Sequence, residues 1–193
     1  IRLDEALSQR PPPHAADQGI TLFMLLLAAF KVQLQRYSGQ RDIRVGVPSA
    51  GRGCRETEAL IGFFVNTQVL KADIDGQTTV AQLLAQVKQR ALEAQAHQDL
   101  PFEQLVEALH PQRSLSHSPL FQVMYNHQTQ GRNARHSLPG LTVEGLEWEQ
   151  HSAQFDLTLE TVETEQGIGA SLNYATALFD ASTIQRLASH WRQ

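Results

Sequence analysis

The stretch Ile61–Lys71, IGFFVNTQVLK, alternates aromatic and β-branched residues with polar ones and contains no proline. This pattern predicts a long β-strand. Because successive side chains of a strand point to opposite faces, Phe64, Asn66 and Gln68 share one face. An amide in the middle of a strand either faces a solvated cleft or is hydrogen-bonded within the fold. The sequence leaves both alternatives open for Asn66.

Composition limits the class of protein. The chain has 193 residues, of which 41% are hydrophobic and 19% charged, enough for a sizeable core in one domain or two small lobes. A net charge of -4 and a pI near 6.1 argue against nucleic acid or an anionic membrane as partner. The longest apolar run, Leu22–Phe30, is shorter than the roughly 20 residues that span a bilayer. With no secretory signal visible, we expect a soluble, cytoplasmic protein.

Self-sufficient catalytic machinery is not visible in the sequence. The single cysteine, Cys54, rules out an intramolecular disulfide and a cysteine-based zinc cluster, which fits a reducing compartment. The eight histidines lack metal-ligand spacing, so we expect no metal site. The loop Ser49–Arg55, SAGRGCR, lacks both the Lys-Ser/Thr ending and the helix of a phosphate-binding loop.

The order of elements indicates a mixed α/β fold without regular βα alternation. Local patterns predict a helix over Thr21–Tyr37, strands over Ile43–Val47 and Ile61–Lys71, helices capped by Thr79 and begun by Pro101, strands over Leu120–His127, Leu141–Trp148, Phe155–Val162 and Ile168–Tyr174, and a last helix capped by Asp180. In the strand Leu120–His127, Gln122, Met124 and Asn126 share a face.

Between the two central helices lies His97-Gln98-Asp99, a histidine close to a carboxylate. Such a pair could do acid/base chemistry. At a helix–helix junction, however, it more often satisfies backbone groups that the helix ends leave unpaired. We therefore interpret His97 and Asp99 as structural residues.

Four segments together carry a resemblance. IGFFVNTQVLK is followed in order by HQDLPFEQLVEAL (His97–Leu109), RSLSHSPLFQVMYNHQ (Arg113–Gln128) and YATALFD (Tyr174–Asp180). In this order and at these separations they resemble the second half of a nonribosomal peptide synthetase condensation domain. The resemblance covers essentially the whole chain, most clearly from Thr21 onward.

The resemblance implies a fold similar to chloramphenicol acetyltransferase, in which two related lobes form a V with a tunnel between them. Residues 1–193 would be the C-terminal lobe, an α/β (α+β) sandwich in which helices flank a mixed β-sheet, and the N-terminal lobe would be absent from this chain. Ile1 and the unfinished last helix fit a piece of a longer domain. Gly62–Thr67 resembles peptide-forming members rather than epimerisation domains, and His97–Glu103 resembles the subgroup that joins two L-configured residues.

The implied activity is amide-bond formation between a carrier-bound thioester donor and an aminoacyl acceptor. The family's catalytic His-His-x-x-x-Asp-Gly motif belongs to the N-terminal lobe and does not occur in this sequence. We therefore expect no catalytic residue here, and we expect this chain alone to be inactive. The implied partners are the N-terminal lobe, the donor and acceptor carrier proteins, which carry the phosphopantetheine, and an adjacent adenylation domain. This chain would bind no cofactor directly.

The resemblance also implies roles for individual residues. Candidates for the tunnel wall are Asn66 and Asn126, followed by Gln122 and Met124. Residues assigned to structural motifs are His97, Asp99, Lys71 and Arg113. Lys71 stands where arginine is commoner in the family, which puts a bidentate salt bridge there in doubt. Two alternatives stay open: a non-catalytic recruitment module with the same fold, and an interaction domain that kept the scaffold.

Overall fold

The structure, a computed structural model, describes residues 18–53, 55–109, 118–129, 152–164 and 167–193. In these residues the chain forms five helices and five strands. The helices are α1 (Leu22–Ser38), α2 (Arg55–Glu58), α3 (Val80–Ala96), α4 (Phe102–Leu109) and α5 (Ala181–Arg192). The strands are β1 (Asp42–Ser49), β2 (Asn66–Asp73), β3 (Val123–Thr129), β4 (Leu157–Thr164) and β5 (Gly167–Tyr174).

The strands form one mixed sheet in the order β2-β1-β3-β4-β5. Strand β1 is antiparallel to β2 and parallel to β3, β3 is parallel to β4, and β4 is antiparallel to β5. The register aligns Val45 with Leu70 and Tyr125 with Leu159, so their side chains share one face. This mixed sheet with flanking helices confirms the predicted fold class.

Helices α1, α3 and α5 pack on that side of the sheet, which we call the helix face. Helix α1 is apolar almost all round, and Leu27 and Phe30 have no exposed surface. Its start is capped by Thr21, whose hydroxyl accepts a hydrogen bond from the Met24 N–H at 3.3 Å. Its end is capped by Gly39, in the left-handed conformation at φ 69°. The observed helix matches the predicted Thr21–Tyr37 to within one residue at each end.

The opposite side of the sheet, which we call the open face, carries Met124, Asn126, Glu160 and Ser171 in neighbouring strands. In the described part of the chain, the Phe121 ring covers this face at one end. Gly46 permits that cover, because a Cβ atom at this position would lie 2.4 Å from the ring. Phe121 itself is buried.

The first half of the predicted strand Ile61–Lys71 is wrong: β2 begins at Asn66. The reason is non-local, since the partner strand β1 ends at Ser49, which pairs with Asn66. Residues 61–65 therefore have no neighbouring strand, and Ile61 and Phe63 lie almost fully in solvent.

Three smaller predictions also need correction. The single helical turn α2 follows the loop Ser49–Arg55, where the sequence predicted no helix. Asp180 stands at the start of α5, but its side chain makes no capping hydrogen bond. Strand β3 begins at Val123 rather than Leu120. Three of the features discussed above lie outside the described residues: the predicted strand Leu141–Trp148, the cysteine Cys54 and the candidate Arg113.

Lys31 on α1 is buried with no exposed surface, inside the core. Its ammonium donates a hydrogen bond to the Leu70 backbone oxygen at 2.7 Å. Burial lowers the pKa of Lys31 to about 7, because water stabilises the charged form, and the nearby Asp42 carboxylate offsets only part of this effect.

We expect the free energy of unfolding to rise between about pH 7 and pH 9.5. In this range the unfolded chain keeps a proton on Lys31 that the folded chain has lost, so the slope approaches ~1.4 kcal/mol per pH unit. Denaturant unfolding at a series of pH values measures it. Lys31→Met should flatten the curve, and the control Lys88→Met should leave it unchanged. An equally steep curve for Lys31→Met would contradict the assignment.

Candidate functional site

The Asn66 side chain joins the start of β2 to the loop between α3 and α4. Its amide nitrogen donates hydrogen bonds to the backbone oxygens of Gln98 at 2.9 Å and Leu100 at 2.8 Å. Its amide oxygen accepts from the backbone N–H groups of Thr67 at 2.9 Å and Phe102 at 3.1 Å. The amide therefore uses both donors and both acceptor positions within the chain.

The neighbours of Asn66 along β2 show which face it lies on. Leu70 is buried in the core, and the Gln68 amide donates to the Ala94 backbone oxygen of α3 at 2.7 Å. Asn66 thus lies on the helix face, which favours the alternative of an amide hydrogen-bonded within the fold. Its role in a tunnel wall stays a prediction.

His97 and Asp99 lie in the loop that Asn66 holds. His97 ends α3 through its backbone: its N–H donates to Ala94, and its carbonyl accepts from Leu100 at 3.2 Å. Both side chains are exposed, and neither forms a hydrogen bond with a described residue. The backbone groups that we expected this pair to satisfy are instead bound by Asn66. A structural role for the two side chains stays a prediction.

Lys71 belongs to a small cluster of charges on the open face. Its ammonium lies 3.2 Å from the Asp42 carboxylate. The bidentate partner of Asp42 is Arg44, with contacts of 3.1 Å and 2.7 Å. The hydrogen bond from Arg44 holds the pKa of Asp42 below its usual value. The two-pronged contact to Asp42 therefore comes from Arg44 and not from Lys71.

The other three tunnel candidates are placed differently from Asn66. Asn126 is half-buried in the middle of β3, on the open face, where its register partner is Glu160. Met124 lies on the same face and is buried at 8% exposure. Gln122 precedes β3, is exposed, and donates to the Ser118 backbone oxygen at 3.2 Å. The structure therefore brings Asn126 and Met124 together and separates both from Asn66.

One buried polar cluster had no signal in the sequence. The Thr161 hydroxyl lies 3.0 Å from the Tyr125 hydroxyl and 2.8 Å from the His127 Nδ1 atom. Burial raises the pKa of Tyr125. Burial also lowers the pKa of His127, and the nearby Glu163 carboxylate offsets part of that lowering. Thr161 has no exposed surface, so it cannot reach a substrate. Only the pairing of β3 with β4 brings these residues together.

No group of three or more histidine, cysteine or acidic residues that could hold a metal ion occurs in the described ranges. Across those same ranges, no helix is both long enough and apolar enough to cross a membrane. The cytoplasmic location stays a prediction.

Solved structures share this architecture. One is a four-domain nonribosomal peptide synthetase bound to AMP and glycine, with a TM-score of 0.89 and 29% identity over 100% of this chain and 16% of that chain. Another is the condensation domain of the monacolin K polyketide synthase MokA, whose TM-score of 0.85 at 19% identity shows a shared fold, over 100% of this chain and 44% of that one. The fold is therefore that of the chloramphenicol acetyltransferase-like acyltransferases.

The sequence identifies the family within that class. The family described as "Condensation domain" matches residues 1–193, and this chain belongs to it. It is 49% identical to a linear gramicidin synthase of Brevibacillus parabrevis over 195 residues, which is 100% of this chain. The chain spans only 4% of that relative's length.

We expect Asn66→Ala to destabilise the fold. The substitution leaves the backbone groups of the α3–α4 loop without partners. Because these groups are only partly buried, we expect a cost of about 1 kcal/mol, the low end for an unpaired buried group. Asn126→Ala is the matched control, because Asn126 forms no side-chain hydrogen bond with a described residue. Chemical denaturation of both variants measures the change in the free energy of unfolding. Equal stability of Asn66→Ala and the parent chain would show that these hydrogen bonds contribute nothing.

Proposed function

We propose that this chain is the C-terminal lobe of a condensation domain that acts in nonribosomal peptide synthesis. The complete domain would form an amide bond between a carrier-bound aminoacyl or peptidyl thioester and a carrier-bound aminoacyl acceptor. The observation that carries the proposal is the open face. Among the described residues, helices α1, α3 and α5 pack on one side of the sheet, and the other side carries polar, half-buried residues that a second lobe can cover.

The length of the chain supports the same proposal. It spans 44% of the condensation domain of MokA, so the match leaves more than half of that chain uncovered. A second lobe of similar size accounts for the remainder. The catalytic motif of the family would lie there, since the 193 residues do not contain it.

The β1–β2 loop, residues 50–65, offers a contact surface for that second lobe. Four of its apolar side chains are exposed: Leu60 by 54%, Ile61 by 105%, Phe63 by 89% and Val65 by 49%. A contiguous group of exposed apolar side chains marks an interaction site more often than an isolated one does. Burying them against a partner would be favoured by the hydrophobic effect.

The loop is held in shape by its own contacts. The Arg52 guanidinium lies over the Phe64 ring, 4.4 Å from its centroid, and donates a hydrogen bond to the Thr57 backbone oxygen. Gly51 has φ 63°, and a Cβ atom there would collide with the Phe64 backbone oxygen. A loop ordered in advance loses little conformational entropy when a partner binds.

In this proposal the chain contributes walls rather than a base. Aminolysis of a thioester gains most from bringing amine and carbonyl into contact and from excluding water. Asn126 and Met124 on the open face would line the space between the lobes, with Gln122 near its edge. The partners would be the N-terminal lobe, donor and acceptor carrier proteins that supply the phosphopantetheine arms, and an adenylation domain. In the same proposal, the complete domain joins two L-configured residues.

A second candidate function is a non-catalytic recruitment module with the same fold. The sequence that precedes Ile1 in the parent protein discriminates between the two: an intact motif supports the enzyme, and a degraded motif supports the recruitment module.

We expect the chain alone to be catalytically silent, because it lacks the family's base. The measurement is mass spectrometry of the dipeptidyl product after incubation with donor and acceptor aminoacyl carrier proteins. The parent domain with both lobes is the positive control. Product formation above the uncatalysed rate by the chain alone would refute the half-domain proposal.

We expect Phe63→Ser to weaken the parent domain but not the isolated chain. Phe63 is 89% exposed in the chain, so its loss costs nothing there, whereas a second lobe packed on it would lose apolar contact. Melting temperatures of both proteins test this. The control Leu92→Ser removes a side chain that is 50% exposed on α3. An unchanged melting temperature for Phe63→Ser in the parent domain would place the lobe contact elsewhere.

A further inference from the structure

A groove of about 640 Å³ lies beside β4 and β5. One charged side chain, that of Glu160, occurs among the described residues that line it. The polar residues beside it include Ser152, Ser171 and Asn173. Neither the tunnel candidates nor the lobe contact proposed above uses this groove.

Glu160 lies on the open face, in the strand next to the edge strand β5. Its register partners are Asn126 in β3 on one side and Ser171 in β5 on the other. Glu160 is half-buried and, by strand alternation, points away from the helix face, where Leu159 and Thr161 lie. A carboxylate is therefore held between polar neighbours on the open face.

Glu160 has no charged partner in the described residues. The ion pairs of that part of the chain all involve other carboxylates. Its one side-chain hydrogen bond comes from the Ser171 hydroxyl at 3.4 Å, which is long. A half-buried carboxylate that lacks a cation has lost part of its hydration without replacement, so it favours a positively charged ligand.

The other oxygens of the groove point to the same kind of ligand. The Asn173 amide nitrogen donates to the Ser152 backbone oxygen at 3.3 Å, which leaves the Asn173 amide oxygen as an acceptor without a described donor. A carboxylate and an amide oxygen both accept hydrogen bonds, and the carboxylate is negatively charged. They therefore favour a ligand with several N–H donors and one positive charge, such as a primary ammonium group. Among the described residues, no cluster of three histidine, cysteine or acidic side chains adjoins the groove.

We propose that the groove binds a primary ammonium group, with Glu160 as its charge partner and Asn173 as a further acceptor. Resting on the function proposed above, the ligand is the α-ammonium of the acceptor aminoacyl group. An α-amino group with a pKa near 7.7 to 8.0 is mostly protonated at neutral pH. Glu160 would hold the acceptor in this form as it enters the groove.

The test uses the parent domain that contains this chain and two probes. One probe is an alanyl-pantetheine amide with a free ammonium group; the other is its N-acetyl derivative, which lacks the charge. Titration calorimetry should show about tenfold tighter binding of the charged probe, because hydrogen bonds to charged groups are the stronger ones. Equal affinity of the two probes would overturn the proposal.

Substitutions test whether Glu160 causes the preference for the charged probe. Glu160→Gln keeps the shape of the side chain and should remove most of the difference between the probes. Glu163→Gln is the matched control, because it changes the same residue type in the same strand but on the helix face. Ser171→Asp adds a second carboxylate at an exposed position and should strengthen binding of the charged probe alone. A preference that survives in Glu160→Gln, or competition by millimolar Ca²⁺, would overturn the ammonium assignment.

Condensation assays on the same variants separate the two proposals. If the parent domain condenses and Glu160→Gln leaves the acceptor KM and the probe preference unchanged, the ammonium site is wrong and the proposed function stands. If the parent domain does not condense but Glu160 still determines the probe preference, the function is wrong and the ammonium site stands. A raised acceptor KM with an unchanged kcat supports both.

Discussion

The packing of α1 against the helix face of the sheet determines most of the structure. Leu27 and Phe30 of this helix have no exposed surface, and the Phe30 ring lies 6.4 Å from the ring of Tyr125 in β3. Side chains alternate between the two faces along every strand. Once α1 covers one face, the remaining side chains of every strand must lie on the open face. The polar residues of the open face are therefore a consequence of the core, and their positions follow from it.

The fold makes a clear distinction between two asparagines that the sequence treats alike. Asn66 begins its strand under the helices, where its four hydrogen bonds join β2, the α3–α4 loop and α4. Asn126 sits in the middle of β3 on the open face. Alternation shows which residues share a face, but it does not show which face the helices cover. That choice depends on contacts between distant parts of the chain, which a single sequence does not display.

Features with a local cause were predictable, and features with a non-local cause were not. The predicted cap Thr79 follows from backbone groups within one helical turn, and the structure confirms it. The start of β2 was missed because it is fixed by the end of β1. Buried Lys31 was missed for a similar reason: a lysine in a helix normally reaches solvent, and only the packed sheet prevents it here.

The burial of Lys31 has a consequence for the chemical labelling of this protein. Acylating reagents modify amines that they can reach, and the Lys31 amine becomes reachable only when α1 separates from the sheet. Its acylation rate would therefore report how often the core opens, at a single known position, as the exchange rate of a buried amide hydrogen does. Lys71, with half of its side chain exposed, would react in the closed molecule and supply the reference rate.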